Sequence, residues 1–142
     1  MRKIILAGVL ATVACSVNAQ TAASPSGKWK TLDDKTGKVT TVTEIYQAKN
    51  GSLAAKIVEN VGLAATCADC SGEHKGKPMV GMVTLWNLKP NKDGGWSGDG
   101  YKPSEDRKFT AKSVKLIDGG KKLEVKGCVA FICRTATWVR AD

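Results

Sequence analysis

Val39-Thr40-Thr41-Val42-Thr43-Glu44-Ile45-Tyr46-Gln47, followed by Lys49-Asn50-Gly51, reads as a β-strand running into a tight turn. β-Branched and aromatic side chains are stiff in a helix and pack well on a pleated surface. Asn50 and Gly51 both tolerate positive φ, so the chain can reverse there. Residues 52–61 are then expected to return as the paired strand. Upstream, residues 28–32 form a short strand that ends at Asp33-Asp34-Lys35-Thr36-Gly37, a turn whose glycine can enter the left-handed region. Downstream, five more β-rich runs are expected at 78–88, 96–101, 108–117, 122–129 and 134–140. Asp93-Gly94-Gly95 and Asp118-Gly119-Gly120 mark reversals between them.

Eight short strands with turns at regular spacing define an all-β chain, either an antiparallel barrel or a sandwich. Leu123, Val125 and Gly127 alternate with Lys122, Glu124 and Lys126, the period of a half-buried strand. Phe109 and Ala111 share one parity while Val114 and Leu116 share the other, which calls for a bulge or strong twist between them. No segment of ordinary helix length shows the 3.6-residue period, and there is no internal repeat.

The N-terminus has a different character. Arg2 and Lys3 precede an apolar run from Ile4 to Ala14, and Val17-Asn18-Ala19 offers a small-x-small cleavage pattern. The run is too short to cross a bilayer and reads as a secretory signal over residues 1–19. Cys15 is the competing site, as a lipid-attachment cysteine, but Thr12 and Val13 suit that chemistry poorly. The expectation is a periplasmic or secreted protein, with a flexible leader at 20–26 and one domain at 27–142. No transmembrane helix follows residue 19. The formal charge of the chain is +9. Its lysines are scattered rather than gathered in a stripe, so no nucleic-acid partner is expected.

Four cysteines follow the signal: Cys67, Cys70, Cys128 and Cys133. An even number in a small exported domain points to disulfides, and local pairing is the simplest of the three possible arrangements. Cys128 and Cys133 could face one another across the last hairpin, and Cys67 and Cys70 could pin the long polar connection after residue 61. A redox Cys-x-x-Cys motif needs a βαβ unit, and none is visible. Zinc at Cys67, Cys70 and His74 lacks a fourth ligand and competes with oxidation, so no metal and no cofactor is expected. His74, the one histidine, sits in a Gly- and Lys-rich loop, and Asp69 and Glu73 near it have no specific spacing. No catalytic residue is assigned, and no enzyme is expected.

Gly27-Lys28-Trp29, Asp33-Asp34-x-Thr36-Gly37, Cys67-x-x-Cys70 and Gly76-Lys77-Pro78-Met79-Val80-Gly81-Met82 form an ordered set. It continues with Trp86, Trp96-x-Gly98, Gly127-Cys128, Cys133-Arg134-Thr135 and Thr137-Trp138-x-Arg140. In this order the chain resembles the bacterial exported domain of unknown function 2147 family. That resemblance implies a lipocalin-like, eight-stranded antiparallel up-and-down barrel and no established activity. One departure is Lys102-Pro103-Ser104-Glu105-Asp106, where the family tends to have an Asp-Pro-x-x-Gly turn. In such barrels Trp29 could plug one end with the Arg140 guanidinium over its ring. Tyr46, Trp86, Trp96 and Phe131 are the candidate walls of a cavity for a small apolar molecule. The alternative is a filled barrel that meets an envelope protein through its loops and the apolar tip Val129-Ala130-Phe131-Ile132.

Overall fold

A computed structural model describes residues 23–142. The expected signal at 1–19, Cys15 and the first part of the expected leader lie outside the described residues. The eight strands are β1 (Gly27–Leu32), β2 (Val39–Gln47), β3 (Leu53–Asn60), β4 (Val83–Pro90), β5 (Trp96–Lys102), β6 (Arg107–Ile117), β7 (Lys122–Val129) and β8 (Ile132–Arg140). Each pairs antiparallel with the next, and β8 returns to β1 to close the barrel. Among the described residues no helix is long and apolar enough to cross a membrane.

The hairpin at Asn50-Gly51 forms as its residues dictate. Gly51 has φ 85°, and the Asn50 side-chain oxygen accepts from both the backbone N–H and the hydroxyl of Ser52. In β6 the register shifts between Ala111 and Ser113. That bulge brings Phe109, Ala111, Val114 and Leu116 into one core despite their opposed parities. The seam between β8 and β1 is the shortest ladder, with Trp29 opposite Arg140 and Lys30 opposite Val139.

The strand expected at 78–88 differs in its start. β4 begins only at Val83, because Gly81 has φ 94° and Met82 N–H bonds back to the Met79 carbonyl in a turn. The turn tucks Met79 and Met82 into a second small core with Ile57, Cys67, Cys70 and Tyr101, beneath the long β3–β4 connection. Both disulfides are local. Cys67 joins Cys70 within that connection, and Cys128 joins Cys133 as a directly facing pair of β7 and β8. Two such bonds fit an oxidising compartment outside the cytoplasm.

Candidate functional site at the barrel mouth

The two ends of the barrel are unlike. At the end where β1 starts and β8 finishes, Trp29 is 0% exposed and its indole N–H donates to the Pro25 carbonyl at 2.8 Å. The Arg140 guanidinium lies 4.0 Å from the ring centroid. Its own N–H groups donate to the carbonyls of Gly120 at 3.2 Å and Ser26 at 3.0 Å. Gly27 makes this possible: it has φ 121°, and a Cβ there would stand 2.8 Å from the Arg140 Nη1. Pro25, which composition placed in the flexible leader, is buried under this plug. This end is shut.

The other end is hollow. A cavity of about 560 Å³ opens there, bounded by the far halves of the strands. That volume suits a small molecule. One wall is apolar, with Phe109, Val125, Ala136 and Trp138 from β6, β7 and β8. The facing wall carries the threonines of β1 and β2. Thr31 and Thr41 hydroxyls lie 2.6 Å apart, and Thr41 and Thr43 hydroxyls 3.3 Å apart, so these groups largely satisfy one another. Thr84 also borders the cavity, and its buried hydroxyl has no partner among the described residues. Such an oxygen is costly unless something bonds to it.

Glycines keep this space open. A Cβ on Gly100 would fall 2.2 Å from the Phe109 Cζ, and one on Gly127 would fall 2.8 Å from its Cδ2. Phe109 therefore lies flat across bare backbone on both neighbouring strands instead of projecting into the lumen.

The rim is charged and cross-linked. Lys102 Nζ reaches Asp34 at 2.9 Å and Glu105 at 3.2 Å, and Arg134 Nη1 reaches Glu105 at 3.2 Å. This chain of ions joins the β1–β2 turn, the 3-10 turn at Pro103–Glu105 and the start of β8. Each pair is solvent-exposed and contributes little to stability alone. Burial acts to lower the Lys102 ammonium, but its hydrogen bonds to Asp34 and Glu105 outweigh that and leave its pKa raised. Asp33 and Asp34 serve separate ends, as adjacent turn residues should. Asp33 Oδ1 accepts the backbone N–H groups of Lys35 and Thr36, which hold its carboxyl below the usual range.

The disulfide-bearing connection props this rim from the side. The Cys67 and Cys70 sulfurs sit 3.5 and 3.6 Å from the Pro103 carbonyl. His74 stacks on Tyr101 with ring centroids 3.9 Å apart, and the Tyr101 hydroxyl donates to Asp106 at 2.7 Å. Asp106 has φ 47°, in the left-handed region that aspartate tolerates better than most residues. Its carboxyl is held low, first by Tyr101 and then by Ser71.

Burial, then the Asp106 hydrogen bond, pushes the Tyr101 phenol up to about 12. The folded state thus favours the neutral phenol. Stability from this link is complete below the ordinary value of 10.0 and is lost as pH rises from there to about 12. In a Tyr46→Phe variant, which leaves Tyr101 as the sole tyrosine, phenolate absorbance should emerge only near pH 12. Ionisation at the ordinary value would mean that Tyr101 is neither buried nor bonded as described.

None of the four aromatics expected in a cavity wall borders this cavity. Tyr46 carries Lys56 Nζ 4.8 Å over its ring. Trp86 packs on the second core, and Trp96 on the main one. Phe131 is 100% exposed. Period two already separates Tyr46 from Thr41, Thr43 and Ile45, all three buried. Trp138 carried its own signal, standing two residues before Arg140 and facing Leu123 across β7 and β8. Among the described residues no three His, Cys, Asp or Glu side chains gather as a metal set.

These features define a class: a closed eight-stranded up-and-down barrel, lipocalin-like, plugged by a tryptophan–arginine pair at one end and hollow at the other. Residues 27–140, the whole barrel from first strand to last, match the family described as "Uncharacterized protein conserved in bacteria (DUF2147)", and the chain belongs to it. Neither the curated proteins nor the solved structures contain a match to the chain.

Proposed function

We propose that this protein is an exported carrier that holds one small, largely apolar molecule in the open end of its barrel. The cavity of about 560 Å³, with Phe109 and Trp138 on one wall and threonines on the other, carries this reading. An apolar body would lie against the aromatic wall. A hydroxyl, carbonyl or carboxyl on the same molecule could satisfy the Thr84 oxygen, which otherwise bears the desolvation cost alone. A secretory signal and two disulfides support a periplasmic or secreted setting.

Native mass spectrometry of protein purified from its own envelope, and tryptophan emission during titration with a long-chain fatty acid, test the proposal. The expected results are a bound mass and quenching that Trp138→Phe largely removes. A bare polypeptide mass together with unchanged emission would overturn it.

A further inference from the structure

Residues 126–134, Lys-Gly-Cys-Val-Ala-Phe-Ile-Cys-Arg, close the last hairpin at the open end of the barrel. Such a tip is ordinarily polar, yet Phe131 is 100% exposed, Ile132 71% and Val129 40%. A single exposed apolar residue needs no account, whereas three within one four-residue tip do. The Cys128–Cys133 bond lies directly beneath them and ties the two strands together at the base of the tip. β7 and β8 pair residue by residue up to Val129 and Ile132, so the tip has no free strand edge to offer a partner. Only side chains are on display.

The surroundings are basic. Arg107 and Lys108 begin β6, Lys126 lies near the end of β7, and Arg134 lies near the start of β8. The registers Thr110 opposite Cys128 and Gly127 opposite Arg134 set these strand ends side by side. Residues 126–134 contain no acid, and the rim carboxylates are already engaged, Glu105 by Arg134 and Lys102, Asp34 by Lys102, and Asp106 by Tyr101. A second copy of so cationic a surface would be repelled. An apolar point inside a cationic collar instead matches an acyl layer beneath anionic headgroups.

We propose that this tip docks the protein on an anionic lipid bilayer, with Phe131 and Ile132 seated in the interface and the flanking cations on the headgroups. Val129 and Ile132 also border the cavity, so docking sets the mouth against the lipid. The docking does not depend on cargo, and its test is separate from the binding test above.

The test is flotation of the disulfide-bonded protein with vesicles of phosphatidylethanolamine and phosphatidylglycerol, and with vesicles of phosphatidylcholine. The expected result is partition onto the anionic vesicles, weaker on the zwitterionic ones, with Phe131→Ser reducing it about tenfold or more. Phe131→Trp should add emission that shifts to the blue on those vesicles. Melting curves should be unchanged, since the side chain touches nothing. No partition onto anionic vesicles at low salt would overturn the proposal. So would partition that Phe131→Ser leaves intact, which would make it charge alone. A dimer that Phe131→Ser dissociates would also overturn it, by giving the tip to a second copy.

Discussion

Trp29→Ala is expected to lower the unfolding free energy by about 3–5 kcal/mol, the range for deleting a buried aromatic side chain. Loss of packing is only part of the cost. Without the ring, the Arg140 guanidinium loses the face it lies over at 4.0 Å, although its bonds to Gly120 and Ser26 remain available. The Pro25 carbonyl loses the indole N–H and is left buried. All of this happens beside the seam where β1 and β8 share only Trp29–Arg140 and Lys30–Val139. Water would then enter at the weakest closure of the sheet. Urea denaturation of parent and variant measures the effect. A midpoint equal to that of the parent would show that Trp29 does not plug the barrel.

Gly100→Val is expected to weaken cargo binding strongly while costing stability only at the level of an overpacked core, about 1–3 kcal/mol. The Phe109 ring now occupies the place of the missing side chain, with Cζ, Cε2 and Cε1 2.2, 2.5 and 2.8 Å from where a Cβ would stand. Backbone lies behind it and the lumen in front. The soft direction is inward, so a valine drives the ring into the cavity. Affinity for the titrated fatty acid should fall about tenfold or more. Adding Phe109→Ala to Gly100→Val should remove the clash and reopen the lumen, at the separate cost of a deleted core ring. If Gly100→Val bound like the parent, the ring would not depend on the bare backbone for its position.

The barrel was readable because its rules are local. Alternation in Lys122–Val129 and the Asn50-Gly51 turn each follow from backbone sterics, and the broken parity of β6 announced its bulge. The cavity was not readable in the same way. Which end of a barrel is filled depends on side chains from eight strands meeting in space, and aromatic content does not report it. Trp86 illustrates the difficulty. Asn87 follows it at φ 55°, and the β4–β5 register shifts between Trp86 and Lys89, so simple counting along β4 misplaces the indole. Gly100 and Gly127 carry no cavity signal of their own in the sequence. A strand glycine reads as a weak point, whereas here its bareness is what Phe109 requires. The start of β4 failed for a third reason: Pro78-Met79-Val80-Gly81-Met82 is apolar enough to resemble a strand, but its two methionines serve the second core.

Closure of the sheet by pairing β1 with β8 has a practical outcome for anyone handling the molecule. Gly27 and Arg140 emerge side by side at the plugged pole, with the Lys28 N–H bonded to Asp142 at 3.3 Å. A tether, tag or surface attached through either flank therefore grips the base of the vessel. Its opening stays turned toward the medium, a full strand length away.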